Sequence, residues 1–426
     1  MMAAQSETGE SARTRVAWRL LPFLFLLYIA NYLDRTNIAY ATLGMKSELG
    51  ITDEIFGTAS GIFFIGYIAL QVPGALLVER WSARKLLSLT LVSWGFLTAL
   101  TAVVQTPAQL YGARFLLGAA EAGFFPGVIV YLSHWFIKED RAKAVARFMS
   151  AIPIGFILGG PIAGAILGVH WLGLSGWRWL FLFEGIPAVV FGIATLFFLP
   201  DKPRDAGWLR AEERDWITQR LAEEREAKSH VAEMTIWQAL CHPAVLVLTL
   251  GLFFTYSGGY AFWFWFPTMT QRLTGWTVLH ISWIGCIVFG AGLVGMLFLG
   301  WSSDRMRERR WHFAIPQLTA ALALIAWFIL PHSNVMLVCV FTLVGFGTVA
   351  YLPSFWALPS EFLTSAAAAA AVGFINCIAS IGGFFGPKIL GHLSQRTGSF
   401  NGGFIMMSTC LVVASLLVLF CPRERP

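Results

Sequence analysis

Tyr28-Ile-Ala-Asn-Tyr-Leu-Asp-Arg-Thr-Asn-Ile-Ala-Tyr40 sets Asp34 and Arg35 side by side inside the first long apolar stretch of the chain. Between Arg19 and Lys46 lie 26 residues with no other charge, and at about 1.5 Å rise per residue that length crosses a bilayer. A charge at membrane depth costs about 2.5 kcal/mol even on lenient insertion scales. Two adjacent charges therefore need partners and a task, and the stretch predicts a polar cavity within a helical membrane protein.

The rest of the composition agrees. Of 426 residues, 57% are hydrophobic and 13% charged, with a mean hydropathy of +0.67, whereas a soluble domain carries roughly 25% charged residues. The 41 glycines suit close helix contact, and the 18 tryptophans and 36 phenylalanines suit interfacial belts. The alternating ten-residue strands of an outer-membrane barrel are absent. The expected fold class is an all-α integral membrane protein.

The formal net charge of +6 comes from Lys and Arg clustered in short loops, a topological signal rather than a nucleic-acid surface, so no nucleic-acid partner is expected. All six cysteines fall in the second half without CxxC or metal spacing and read as packing residues. His134, His280 and His392 sit at segment ends with no ligand spacing, so neither metal nor cofactor is expected. No HExxH, GxSxG or P-loop points to an enzyme. The first apolar run exceeds a signal-peptide core and is expected to stay as a span.

Twelve apolar segments follow one another, at about 17–43, 55–78, 86–105, 108–132, 144–168, 177–199, 244–267, 278–300, 312–330, 334–356, 366–390 and 402–421. The expected organisation is a cytoplasmic tail (1–16), a six-helix half (17–199), a cytoplasmic linker (200–243), a second six-helix half (244–421) and a short tail (422–426). Leu209, Trp216, Ile217 and Leu221 recur at helical spacing and predict an amphipathic helix in the linker. Arg80, Arg84 and Lys85 follow the second segment, Lys138, Arg141, Lys143 and Arg147 the fourth, and Arg305, Arg307, Arg309 and Arg310 the eighth. This bias puts both termini in the cytoplasm, with Lys46, Arg272 and Arg396 as exceptions on the other side. A short first outer loop favours a bacterial inner-membrane protein, and a monomer is expected.

Glu79-Arg80-Trp-Ser-Ala-Arg84-Lys85 after the second segment matches Asp304-Arg305-Met-Arg-Glu-Arg309-Arg310 after the eighth, which implies two halves related by parallel repetition. These loops resemble the signature loop of the major facilitator superfamily, and Gly155-Phe-Ile-Leu-Gly159-Gly160-Pro161-Ile-Ala-Gly164 resembles its fifth-span motif. Asn31-Tyr-Leu-Asp-Arg-Thr-Asn-Ile-Ala39, Gly176-Trp-Arg-Trp-Leu-Phe-Leu-Phe-Glu-Gly-Ile-Pro187, Leu199-Pro-Asp-Lys-Pro203 and Ser303-Asp-Arg-Met-Arg-Glu-Arg-Arg-Trp-His312 are similar to the anion:cation symporter branch. The pattern departs at Glu79, usually Asp, and Ser82, usually Gly. The resemblance implies twelve transmembrane helices in two six-helix halves. It also implies transport of a tartrate-like, sugar-acid or aromatic carboxylate substrate, and substrate contacts at Tyr32 and Tyr67.

Arg114 and Glu121 lie seven residues apart in the fourth segment, two helical turns along one face. An Arg fork suits a carboxylate, so Arg35 is the expected direct ligand, and Arg114 a partner of Glu121 or a second contact. Tyr256, Ser354, Trp356 and Asn376 are the candidates from the second half. Two carboxylates and two guanidiniums sum to zero, and a bound anion then favours proton uptake. Asp34 and Glu121 are the expected proton carriers, each paired with an Arg when the site is empty. Glu79, Arg80, Arg84, Asp304 and Arg305 are expected to form a cytoplasmic gate, and Glu184 a structural contact. The expected function is secondary active import of a small organic anion by proton symport. A proton-driven exporter and a sodium-coupled anion symporter are the alternatives.

Overall fold

The computed structural model describes residues 2–229, 238, 240–361 and 365–421, with side chains at 2–6, 75–76, 79–80, 142, 225, 227–229, 360–361 and 365–370 outside the description. Among the described residues the chain is helical, with no strand. The first half comprises α1 (Met2–Leu49), α2 (Asp53–Arg80), α3 (Ala83–Thr101), α4 (Pro107–Glu121), α5 (Phe124–Trp135), α6 (Lys138–Met149), α7 (Ala151–Ile166) and α8 (Gly176–Phe198). After α9 (Ala211–Ser229) come α10 (Pro243–Thr274), α11 (Val278–Met306), α12 (Arg310–Ala326), α13 (Asn334–Ala350), α14 (Leu352–Ala357), α15 (Ser365–Thr397) and α16 (Asn401–Leu419).

Among the described residues ten helical stretches are long and apolar enough to span a bilayer, and α3 and α12 occupy the two remaining expected segments. The protein is a multi-pass membrane protein. Apolar side chains such as Phe96, Phe197, Val294 and Ile329 point outward, a surface that only lipid accommodates.

Local chemistry sets the boundaries. Thr52, Ser82, Thr106 and Ser333 cap helices by accepting from the amides of Ile55, Lys85, Gln109 and Met336. Three segments are broken rather than continuous, between α4 and α5, α6 and α7, and α13 and α14. In each case a proline opens the second piece, Pro126, Pro153 or Pro353. A proline ring clashes with the carbonyl four residues back, here that of Ala122, Met149 or Val349, which falls at or next to each break. The first break lies immediately after Glu121.

Residues 1–16, expected as a tail, form from Met2 onward the first turns of α1. The reason is tertiary. Arg13 donates to both carboxylate oxygens of Asp140 at 2.6 and 2.7 Å, and Ser11 donates to Glu213 at 2.8 Å. The linker helix α9 buries Ile217 and Leu221 as its spacing predicted, and Glu224 accepts from Arg141 at 3.0 Å.

The halves meet by α2 against α15, α7 against α11, and α1 against α10. In segment order the first two contacts are second with eleventh and fifth with eighth. Adding six to one member and subtracting it from the other exchanges these pairs, the signature of a parallel repeat. The contacts concentrate on the face opposite the termini, here the far face. A Cβ on Gly57 would stand 2.5 Å from the Pro387 carbonyl oxygen, and one on Gly61 2.6 Å from that of Phe384, so glycine permits this closure.

Candidate functional site

Neighbouring helical residues project about 100° apart, so Asp34 and Arg35 cannot share a face of α1. Arg35 points between the halves, donating from Nε to Glu121 Oε2 at 2.9 Å, an oxygen that also accepts from Asn31 Nδ2 at 2.8 Å. Its guanidinium carbon lies 4.9 Å from the Tyr67 ring centre and 5.4 Å from those of Tyr32 and Phe63. Asp34 turns toward α3. It is fully buried, accepting from Trp94 Nε1 at 2.7 Å and from Asn37 at 3.5 Å.

The pairing differs from that expected. Glu121 takes Arg35 as its partner, and Arg114, two turns away along α4, is fully buried with no hydrogen-bond partner for its three nitrogens. Its guanidinium carbon lies 4.9 Å from the Phe63 ring centre, so one aromatic ring neighbours two guanidiniums, and it remains within electrostatic reach of Glu121 and Asp34. Asp34 has an indole partner instead of an Arg. Glu184 on α8 is buried near Asp34, with one carboxylate oxygen unpartnered.

From the second half, Tyr256 donates to Asn376 Oδ1 at 3.0 Å, tying α10 to α15, and Trp263 Nε1 donates to Thr348 at 3.0 Å. Arg35, Tyr32, Tyr67, Tyr256, Trp356 and Asn376 line one cavity between the halves, whereas Arg114 and Ser354 are fully buried behind its wall. Tyr28, Phe64, Tyr260, Trp263 and Tyr351 also line the cavity. Sequence reasoning missed them, because aromatic residues inside spans ordinarily pack.

Of the terminal-face residues expected as a gate, the described ones, Arg84, Asp304 and Arg305, contact partners within their own halves. Arg84 lies 3.8 Å from Asp201, and Asp304 accepts from Arg309 at 2.6 Å. Arg305 is exposed over Trp301, while the side chains of Glu79 and Arg80 lie outside the described residues.

The latch that does join the halves was not foreseen. On the far face Asp53, at the start of α2, receives both terminal nitrogens of Arg272 from α10, Ser394 Oγ from α15 at 2.7 Å, and Lys46 from α1 at 3.1 Å. Its amide donates to Gln395 at 3.1 Å. The available signal was the pair Lys46 and Arg272 as exceptions to the charge bias.

The sequence profile described as Major Facilitator Superfamily matches residues 24–387. The chain belongs to the Major Facilitator Superfamily. It is 38% identical over 413 residues to an Agrobacterium vitis protein named for tartrate transport, covering 97% of this chain and 91% of that one. It is 35% identical over 414 residues to NicT of Pseudomonas putida, named for metabolite transport, covering 96% and 94%. Among solved structures, the inward-open xylose transporter XylE from E. coli superposes with a TM-score of 0.75 at 16% identity, over 96% of this chain and 97% of that one. As a member of this superfamily the protein is a membrane transporter, and XylE shares its fold.

Proposed function

We propose that this superfamily member imports a small organic anion, a sugar acid, hydroxy acid or aromatic carboxylate, by proton symport with alternating access. The observation that carries the reading is Arg35. It is a planar guanidinium fork on the wall of the cavity between the halves, held by one nitrogen to Glu121 and flanked by tyrosine rings. Such a fork fits a carboxylate in bidentate fashion. The names of the relatives, tartrate and metabolite transport, support the same class.

An arriving carboxylate competes with Glu121 for Arg35. Two carboxylates facing one guanidinium in a desolvated site favour protonation of one of them, and Glu121 is the group displaced. Asp34 takes a second proton behind α1, where Trp94 holds it. Arg114, without a hydrogen-bond partner of its own, supplies positive charge to whichever carboxylate remains ionised. An inside-negative potential opposes anion entry by about 2.3 kcal/mol per charge per 100 mV, so more than one proton per monoanion is needed for net drive.

With the loop charges on the cytoplasmic side of a bacterial inner membrane, the far face is periplasmic and the Asp53 latch closes it. Glu79, Arg80, Arg84, Asp304 and Arg305 then latch the cytoplasmic face in the opposite state. The test is uptake of labelled tartrate, gluconate and benzoate into proteoliposomes under an imposed proton gradient. Uptake of at least one that collapses with an uncoupler supports the reading. Uptake indifferent to the uncoupler and dependent on sodium replaces protons with sodium, and proton-driven expulsion makes the protein an exporter.

A further inference from the structure

We infer that the carried anion is an aromatic monocarboxylate, a planar ring bearing one carboxylate, rather than a polyhydroxylated acid. The inference rests on the organic-anion reading of Arg35 and narrows it. Ten of the sixteen residues that line the cavity are aromatic. Their polar tips are largely committed to protein partners. Tyr256 donates to Asn376, Trp263 to Thr348, and Ser380 to the Asn376 carbonyl at 2.7 Å. The hydroxyls of Tyr28 and Tyr32 lie against each other, and that of Tyr67 against Arg35 and Asn376.

What remains for a guest is ring surface around one cation, with the Tyr351 hydroxyl as an unpartnered polar tip in the lining. Tyr256, Tyr260 and Trp263 run edge to face, at 5.1 Å and 79° and then 4.9 Å and 77°. Tyr260 also faces Phe64 at 4.5 Å and lies within electrostatic reach of Arg35. Alternating ring faces and edges match the quadrupole of an inserted aromatic ring. The void available to water-sized guests is about 30 Å³, so any substrate must part the rings. A flat ring requires the least parting, whereas a chain of tetrahedral hydroxylated carbons requires more and leaves hydroxyls unpaired at roughly tenfold in affinity each.

The experiment measures dissociation constants of benzoate, cyclohexanecarboxylate, gluconate and tartrate for the purified full-length protein by calorimetry or thermal shift. Benzoate is expected to bind about 3- to 10-fold more tightly than cyclohexanecarboxylate, which has the same charge but no aromatic ring, and at least about tenfold more tightly than gluconate or tartrate. The benzoate-to-cyclohexanecarboxylate ratio should persist in Tyr260→Phe and fall toward unity in Tyr260→Leu, with melting curves establishing that both variants fold. Tighter binding of gluconate or tartrate, or equal binding of the two monocarboxylates by the wild type, overturns the inference and leaves organic-anion transport standing. Binding of none of the four anions removes both readings.

Discussion

Asp53→Asn should open the far face. The substitution keeps the shape of the side chain and its contact with Ser394 but removes the charge that holds Arg272 and Lys46. Breaking a buried ion pair costs about 3–5 kcal/mol. The Asp53 side chain is 7% exposed while those of Arg272 and Lys46 are 39% and 26% exposed, and solvent screening of the two cations reduces the figure to about 2 kcal/mol. That is roughly 30-fold in the ratio of far-face-closed to far-face-open molecules. A resting open population of about 1% would then rise to roughly a quarter. Spin labels at Glu54 and His392, which approach within 3.5 Å across the two halves, in a background without native cysteines, report the distance by pulsed dipolar spectroscopy. A second, longer distance in Asp53→Asn is the expected result. A distribution identical to that of the parent, in a protein that still melts cooperatively, would refute the assignment of Asp53 as the hub of the latch.

Arg35→Lys should lower uptake at least about 100-fold while leaving insertion and melting unchanged, because a point charge cannot replace a bidentate fork; undiminished uptake in the proteoliposome assay rejects Arg35 as the ligand. Trp94→Phe removes the 2.7 Å bond to Asp34 and should cost about 1–3 kcal/mol of stability, read as a lower Tm together with a shifted pH profile of uptake. Gly57→Val places side-chain atoms where the Pro387 carbonyl oxygen would stand 2.5 Å from the added Cβ. It should populate the same far-face-open distance as Asp53→Asn, checked with the same labels. Burial alone would raise the Glu213 carboxyl, but hydrogen bonds from Arg210 N and Ser11 and the charges of Arg15 and Arg210 hold it below its ordinary value. A depressed acid stabilises the folded state above its unfolded value of about 4.3. Docking of α9 on α1 should therefore be intact at pH 7 and weaken as pH falls below about 4, an effect lost in Glu213→Gln and measurable by limited proteolysis with an acid-active protease.

Much of the architecture was legible from residue order, because a bilayer tests each helix separately. Apolar length alone marks a span, and the two related loops at Glu79–Lys85 and Asp304–Arg310 betray the repeat. The amphipathic spacing of Trp216, Ile217 and Leu221 located the linker helix for the same reason, since a periodicity of 3.6 is a local property, although Leu209, expected in the same pattern, lies before its first residue, Ala211. The existence of a buried charged site was equally legible, as Asp34, Arg35, Arg114 and Glu121 are too costly in lipid to be incidental.

Which of those charges meet was decided only by the tertiary structure. The phase of α1 relative to α3 and α4 sends Arg35 to Glu121 and Asp34 to Trp94, partners 86 and 60 positions away that no local spacing links. The stacking of α2 on α15 makes Asp53 a hub for Arg272 and Ser394, more than 200 and 300 positions distant. Hydropathy is a sum over one helix and survives without its neighbours, whereas a hydrogen bond depends on the position and rotation of two. The sequence alone therefore determined that this protein crosses the membrane and carries a charged site within it, and packing alone decided how that site is wired and which face is shut.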